Sequence, residues 1–320
     1  MLIYFIIFIL SFILTLVFIP IVKKLSFKYN FCDDPKKDPL KVHKTPISFL
    51  GGAVMIFVFL LCLILAWIFK KTGFLDLDTP KLIAIFVGSI VSWFYGFWDD
   101  TRWQERVKIS QKMKICLQIP IIITLVLILY TTQIQWQFIS IPVIGILVSL
   151  FYFIFIMNAV NIQDGLDGLA GGIVLISSLG FLILSLLTGN TLVSIISLIN
   201  IGSIFAFLVF NWHPASIFMG NNGSYFLGFL MTVLVIINTK PGSFVWLLGP
   251  LLILGMPLFN AGYFFSKKII YHQPLFSADR HHFYDELCRI FGSVPKGVLV
   301  NHFIHIILVA SGLVILVKFL

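Results

Sequence analysis

Residues 142–188 read PVIGILVSLFYFIFIMNAVNIQDGLDGLAGGIVLISSLGFLILSLLT, and this stretch decides the fold class. Two apolar runs, 142–158 and 169–188, enclose a polar segment that has Asn, Asp and Gly but no Lys or Arg. A bilayer hydrocarbon core of about 30 Å requires about 20 apolar residues per helix. Backbone polar groups must be paired inside lipid, so both runs are predicted to be transmembrane helices.

Similar apolar runs recur along the 320-residue chain. The prediction is an all-α, polytopic membrane protein with about ten transmembrane helices in a single domain, residues 1–320. The predicted spans are 2–21, 48–69, 81–98, 113–131, 142–158, 169–188, 192–211, 224–239, 245–266 and 297–318. The short span 224–239 and the Gly- and Pro-interrupted span 245–266 are predicted to be tilted or kinked.

The composition excludes an ordinary soluble domain. The chain is 59% hydrophobic and 11% charged, with a mean hydropathy of +1.05, whereas soluble domains carry about 25% charged residues. The net charge of +9 would suggest nucleic-acid binding in a soluble protein. In a membrane protein it indicates basic cytoplasmic loops, and no nucleic-acid partner is expected. The first run has no cleavage site and is longer than a signal-peptide core of about 7–15 residues, so it is predicted to be the first span.

The distribution of charge predicts the orientation. With the N-terminus outside, the cytoplasmic loops are 22–47, 99–112, 159–168, 212–223 and 267–296. Of the 22 Lys and Arg residues, the outer side then holds Lys70, Lys71, Lys81, Lys240 and Lys318. This asymmetry obeys the positive-inside rule. Among the 13 acidic residues, only Asp76 and Asp78 fall outside, which places the candidate active site in the cytoplasmic loops.

The polar string Asn158–Gly172 is the strongest functional signal. It holds two Asn, two Asp and four Gly residues between apolar spans. Glycines allow a ligand to approach the backbone closely, and Asn and Asp supply hydrogen bonds and oxygen ligands. The alternative is a tight loop closed by local Asx turns.

Adjacent carboxylates, Asp99 and Asp100, end the third span. Two neighbouring carboxylates repel, so one must be neutralised by a proton, a cation or a basic side chain. Lys114 and other basic residues follow in the sequence. This pattern indicates a site for a divalent metal and phosphate, with a solvated, salt-bridged turn as the alternative.

Three weaker motifs lie in other predicted cytoplasmic loops. Basic residues in 41–46, before Gly51-Gly52, suit phosphate binding, and the run 220–224 opens a helix whose free N–H groups can bind an anion. Arg280, with two neighbouring His residues, could grip a diphosphate. For each motif the alternative is an ordinary loop or helix start. His302 and His305 are predicted to be packed, hydrogen-bonded helix residues rather than ligands.

The order of these motifs resembles the polyprenyl-phosphate N-acetylhexosamine-1-phosphate transferases over nearly the whole chain. Within that superfamily it looks more like the bacterial enzymes that start O-antigen and related surface polysaccharides. The run 279–285 lacks the triple-His loop typical of the peptidoglycan enzyme, which argues against a muramoyl-pentapeptide substrate. The resemblance implies transfer of a sugar-1-phosphate from a UDP-N-acetylhexosamine to undecaprenyl phosphate, with release of UMP. It also implies Mg²⁺ or Mn²⁺, contact with membrane lipids and a multi-pass location in the bacterial inner (plasma) membrane; a homodimer is left open.

Residue roles follow from matched positions. The resemblance implies catalytic roles for Asp99, Asp100, Asp164 and His282. It implies metal ligands at Asp99, Asp100, Asp164 and Asn221. Substrate-binding roles are assigned to Lys41, His43, Lys114, Asn158, Asn161, Asp167, Asn211, Asp279 and Arg280.

One position departs from the family pattern. Relatives usually have Asp, a metal ligand, where this chain has Asn221. Asn keeps an oxygen but loses the charge that a hard cation prefers, so a slow or silent paralogue is an alternative. An intramembrane prenyltransferase would need two Asp-x-x-x-Asp motifs, whereas this chain has an adjacent pair and an Asp-x-x-Asp. A lipid-intermediate transporter should place ionisable residues at mid-membrane, whereas the acids here lie at the predicted cytoplasmic ends.

Overall fold

The computed structural model describes residues 2–37, 43–104, 111–132, 142–240, 242–274 and 282–320. Within these residues the chain is almost entirely helical, which confirms the all-α class. The helices are α1 Leu2–Lys28, α2 Gly51–Lys71, α3 Thr79–Gln104, α4 Gln111–Thr131, α5 Pro142–Gln163, α6 Leu169–Thr188, α7 Thr191–Asn211, α8 Gly220–Ile237, α9 Phe244–Ile253, α10 Gly255–Ile270, α11 Phe283–Phe291 and α12 Val294–Val317. A short 3₁₀ turn, Pro35–Lys37, and two strands, β1 Cys32–Asp33 and β2 Ile47–Ser48, complete the described elements.

Each predicted span falls on a helix or on one bent helix pair. In the described part of the chain, 8 helices are long and apolar enough to cross a membrane, and the pair α9–α10 gives up to 9. The remaining predicted span corresponds to α4, whose apolar part, Cys116–Thr131, is shorter. The multi-pass membrane architecture is therefore confirmed.

The predicted kink in span 245–266 is confirmed. The axes of α9 and α10 differ by 85°. Pro257 has no backbone N–H to donate to the carbonyl four residues earlier, on Ile253. That carbonyl instead accepts a hydrogen bond of 2.8 Å from the Ser177 hydroxyl of α6, so a neighbouring helix satisfies the backbone at the bend.

The short span 224–239 is a single helix without the bend seen in span 245–266. It corresponds to α8, which runs unbroken from Gly220 to Ile237, with 83% of its apolar window buried inside the protein. It packs against α2, α3 and α5, and a helix that is apolar all round belongs in a core. The helix is short because it lies within the bundle.

This arrangement brings several helix ends together. The C-terminal end of α3, the C-terminal end of α5 and the N-terminal end of α8 all lie on the predicted cytoplasmic side, and α8 packs directly against α3 and α5. The loop before α2 joins them: Phe218 N donates to Ser48 O at 2.7 Å, and Gly51 N donates back to Phe218 O at 3.0 Å. Gly52 lies so close to Gly223 that a β-carbon on Gly52 would overlap the backbone of α8.

Candidate functional site

Asp99 lies between a lysine and an amide. Its side chain is 4% exposed, and Lys114 Nζ is 2.7 Å from Oδ1 and 2.8 Å from Oδ2. Asn221 Nδ2, at the start of α8, donates to Oδ2 at 3.0 Å. The charge of this nearly buried carboxylate is therefore matched by the lysine of α4, as a buried ion requires.

Asp100 serves a different partner. Its two oxygens accept backbone N–H bonds from Asn221 at 3.0 Å and Asn222 at 2.9 Å, and a side-chain bond of 2.7 Å from Asn222 Nδ2. These donors belong to the first turn of α8, where a carboxylate is favoured by the unpaired N–H groups and the helix dipole. The adjacent carboxylates therefore turn to separate partners, and Asp100 acts as a cap for α8.

Two asparagines of α5 extend the network. Asn161 Nδ2 donates to Asn221 Oδ1 and to Ser224 Oγ, both at 2.8 Å. Asn158 lies one turn earlier and donates to Gln118 Oε1 of α4 at 2.9 Å. Asn161 therefore faces the Asp99–Asn221 group, whereas Asn158 ties α5 to α4.

Asp164 follows directly after α5 and is the least compensated acid of the site. Its carboxylate has no hydrogen-bond partner within the described residues. Burial, and then the charges of Asp100 and Asp167, raise the pKa of Asp164 well above its ordinary value. When neighbouring acids raise the pKa of a carboxyl group, a cation bound nearby would stabilise its ionised form.

The carboxylates of the site supply oxygen atoms, the ligand type that Mg²⁺ prefers. Mg²⁺ is commonly held by one or two carboxylates together with substrate phosphates. The described residues contain no group of three or more His, Cys, Asp or Glu side chains that could hold a metal ion without other ligands. The Asp164 carboxylate, with Asp100 and Asp167 as its acidic neighbours, supplies oxygen atoms of the kind that such a shared site uses.

Asp167 and Asn211 hold a loop in place. Asp167 Oδ2 is 2.8 Å from His213 Nδ1 and accepts a bond of 3.1 Å from Ala215 N. Asn211 Oδ1 accepts from Gly168 N at 3.0 Å, and its Nδ2 donates to Ile217 O at 2.9 Å. Both predicted substrate-binding side chains therefore fasten the α7–α8 connection to the start of α6.

The first loop contributes His43 beside the same connection. Its Nε2 is 3.2 Å from Asp33 Oδ2, its Nδ1 is 2.8 Å from Thr45 O, and its ring meets the edge of Phe218 at 5.3 Å. Three other predicted site residues, Lys41, Asp279 and Arg280, lie outside the described residues.

His282, His302 and His305 lie in two different settings. His282 immediately precedes α11, and its ring stacks between Phe264, at 4.4 Å, and Tyr284, at 4.9 Å. In α12, His302 Nε2 is 3.3 Å from Leu169 O, and His305 Nε2 is 2.8 Å from Ser177 Oγ. These contacts agree with the prediction that the α12 pair is packed and hydrogen-bonded.

Sequence reasoning assigned no role to several residues that organise the site. Asn222 holds Asp100, Gln118 accepts from Asn158, and Asn260 contacts the start of α11. Gln118 and Asn260 had a usable signal, because an uncharged polar residue in an apolar span usually has a buried hydrogen-bond partner. Asn222 had none, since its neighbours form an ordinary helix-start sequence.

The fold and the site define a polytopic membrane protein in which carboxylates, amides and a lysine gather at one end of the helices. Residues 82–239 match the family described as Glycosyl transferase family 4. A probable undecaprenyl-phosphate N-acetylglucosaminyl 1-phosphate transferase of Bacillus subtilis (strain 168) is 29% identical over 318 residues, covering 96% of this chain and 84% of the relative. A phospho-N-acetylmuramoyl-pentapeptide-transferase of Dictyoglomus turgidum is 32% identical over 281 residues, covering 85% and 83%.

A second phospho-N-acetylmuramoyl-pentapeptide-transferase, from Clostridioides difficile (strain 630), is 32% identical over 226 residues, covering 66% of each chain. The chain belongs to glycosyl transferase family 4, the polyprenyl-phosphate N-acetylhexosamine-1-phosphate transferase superfamily. The resemblance drawn from the motifs is thereby confirmed at the level of the superfamily.

Proposed function

We propose that the protein transfers an N-acetylhexosamine-1-phosphate, GlcNAc or a related amino sugar, from a UDP-sugar to undecaprenyl phosphate, releasing UMP. The observation that carries the proposal is the network in which α3, α4, α5 and α8 meet through Asp99, Lys114, Asn161 and Asn221. The Bacillus subtilis relative, which matches 96% of this chain, is named for such a transfer. The reaction would start a surface polysaccharide of the O-antigen type at the bacterial inner membrane.

The chemistry of the substrates explains the charges. Phosphoryl transfer depends mostly on positioning and on stabilising charge at the phosphate oxygens. Among the described residues, the Lys114 ammonium lies within 4 Å of the Asp99 carboxylate. The lipid phosphate is the second anion that would bind this ammonium group. The first turn of α8 cannot bind the phosphate while Asp100 caps it, so Lys114 is the proposed recognition group.

Asp164, with Asp99, is the proposed site for Mg²⁺ or Mn²⁺. When bound, the ion would neutralise charge on the diphosphate of the UDP-sugar. Asn161 Nδ2 donates to the amide oxygen of Asn221, and this hydrogen bond orients the Asn221 amide. His282, stacked between two aromatic rings, is proposed to face the sugar diphosphate.

One observation favours a second candidate, a weak or silent paralogue. The Asn221 amide donates a hydrogen bond to Asp99 Oδ2, so this oxygen already has an uncharged partner where the family places a metal-binding carboxylate. A silent paralogue would bind undecaprenyl phosphate without releasing UMP.

The test is direct. The purified protein in detergent is incubated with undecaprenyl phosphate, Mg²⁺ and a panel of UDP-sugars that includes UDP-N-acetylglucosamine. We expect UMP release matched by a sugar-diphospho-lipid, and loss of both in Asp99→Asn. If no UDP-sugar yields lipid product while the protein remains folded, the transferase proposal fails and the silent paralogue stands.

A further inference from the structure

Asn260 is a buried polar residue in the first half of α10, with 0% of its surface exposed. Its Oδ1 accepts a hydrogen bond of 3.1 Å from Phe283 N, the first residue of α11. Its Nδ2 donates to Gln163 Oε1, the last residue of α5, at 3.2 Å. The two ends of one amide thus join two segments that are far apart in the sequence.

A second contact joins the same two segments. The Tyr284 hydroxyl donates to Ile162 O of α5 at 3.1 Å. Gly165 makes room for this ring, because a β-carbon at Gly165 would overlap the Tyr284 hydroxyl. The His282 ring stacks on the Tyr284 ring, with 4.9 Å between the ring centroids, so the segment that carries His282 packs against the backbone next to Asp164.

We propose that Asn260 is a positioning residue that fastens the His282 segment to the end of α5 beside Asp164. The inference rests on the proposed function, since it assigns how two parts of that site are held in register. Asn260 touches neither proposed reacting group and acts through Phe283 and Gln163. This role requires one small buried side chain that accepts a hydrogen bond from Phe283 N and donates one to Gln163 Oε1.

The geometry predicts which replacements succeed. Ala at 260 leaves Phe283 N and Gln163 Oε1 buried without partners, which is costly. A fully buried carboxyl group without a cation is favoured in its protonated form. Protonated Asp keeps an acceptor for Phe283 N and has an O–H that can donate to Gln163 Oε1. Asn260→Asp should therefore restore what Asn260→Ala loses.

Misplacing a reacting group by about 1 Å can cost about 10²-fold in rate. We expect Asn260→Ala to lower kcat by about 10–100-fold. The KM for undecaprenyl phosphate should stay within about twofold, because the proposed lipid-phosphate group Lys114 contacts Asp99 rather than α11. Asn260→Asp should retain most of kcat.

The experiment compares wild type, Asn260→Ala, Asn260→Asp and the control Ser185→Ala, in UMP release and in hydrogen exchange. Ser185→Ala also removes a buried hydrogen bond between helices, 2.8 Å from Ser185 to Ser194, but one in α6 and α7 near their outer ends. Faster exchange of the amides at the start of α11 in Asn260→Ala, with wild-type exchange in Ser185→Ala and Asn260→Asp, supports the proposal.

The two proposals fail in different ways. A wild-type protein without transferase activity removes the proposed function, and hydrogen exchange then still decides whether Asn260 fastens α11. An active wild type whose Asn260→Ala variant has unchanged kcat and unchanged exchange overturns the positioning role. Equal kcat losses in Asn260→Ala, Asn260→Asp and Ser185→Ala overturn it as well, because they would reflect general destabilisation.

Discussion

Asn221→Asp is the sharpest test of the site, because it introduces a carboxylate at the position where the motif resemblance implies a metal-binding Asp. The Asn221 amide now donates to Asp99 Oδ2 at 3.0 Å, while its oxygen accepts from Asn161. Asp at 221 keeps the bond from Asn161 but turns a donor into a second carboxylate oxygen facing Asp99. The variant should therefore be destabilised unless a cation occupies the site.

The size of the effect follows from the distance. Two unit charges about 4 Å apart interact by about 4 kcal/mol at an effective dielectric constant of about 20. Lys114 already neutralises much of the Asp99 charge, so we expect a net repulsion of about 2 kcal/mol. A divalent ion that removes this repulsion would bind Asn221→Asp about 30-fold more tightly than wild type, since about 1.4 kcal/mol is tenfold.

The assay has two readouts. Thermal unfolding in detergent with EDTA, and then with increasing Mg²⁺, should show a lower Tm for the variant without metal and a larger Mg²⁺-induced rise. UMP release should reach half its maximum at a lower Mg²⁺ concentration and at a higher rate. Asn221→Ala, which removes the amide without adding charge, should show neither gain. Identical Mg²⁺ titrations for wild type and Asn221→Asp would refute the reasoning that position 221 faces the metal.

Three further predictions follow from other contacts of the site. Lys114→Met leaves Asp99 buried without its cation, which costs about 3–5 kcal/mol; Tm and UMP release should both fall, whereas Lys267→Met, which breaks a more exposed pair with Glu286, should change neither strongly. Asn222→Leu removes one donor to Asp100 and one to Phe49 O, so thermal unfolding should show a loss of about 1–3 kcal/mol, and an unchanged Tm would contradict the cap. The pKa of Asp164 is raised in the folded protein, so in EDTA the protein should lose stability as pH rises above the unfolded pKa of about 3.9. The Mg²⁺ concentration that gives half-maximal UMP release should also fall as pH rises.

The sequence predicted the helices well, because the bilayer imposes a simple length rule. Each apolar run became a helix or a bent helix pair, and the Gly- and Pro-interrupted span 245–266 is bent between α9 and α10 as predicted. Span 224–239 was expected to be tilted or kinked, and it is an unbroken helix enclosed by other helices. Hydropathy cannot distinguish such a helix from a short helix at the lipid surface. The burial of α8 depends on which helices pack beside it, and that is a property of the tertiary fold.

The sequence also predicted that the polar groups gather at one end of the helices, but it could not assign their partners. Asp99 and Asp100 are adjacent and equivalent by pattern, yet one pairs with Lys114 and the other caps α8. Asp167 is predicted to bind substrate, and the sequence did not show that its carboxylate also contacts His213 and Ala215 N. Such roles depend on the direction of each side chain at a helix end, which a residue-type pattern does not contain.

The division of work between the two adjacent aspartates limits how the site can operate. Three N–H donors hold Asp100, so removing it from this cap would unpair the first turn of α8 and cost stability. Asp99 has mobile partners by comparison, since a lysine and a side-chain amide can both turn to another anion. A phosphate that takes Lys114 would leave the Asp99 charge exposed to Asn221 alone, and a cation would then be favoured beside Asp99. Binding of the lipid phosphate should therefore strengthen binding of the metal, and the reverse. Because Asn221 is uncharged, this coupling should depend more on Asp99 and Asp164 than it would if residue 221 were a carboxylate.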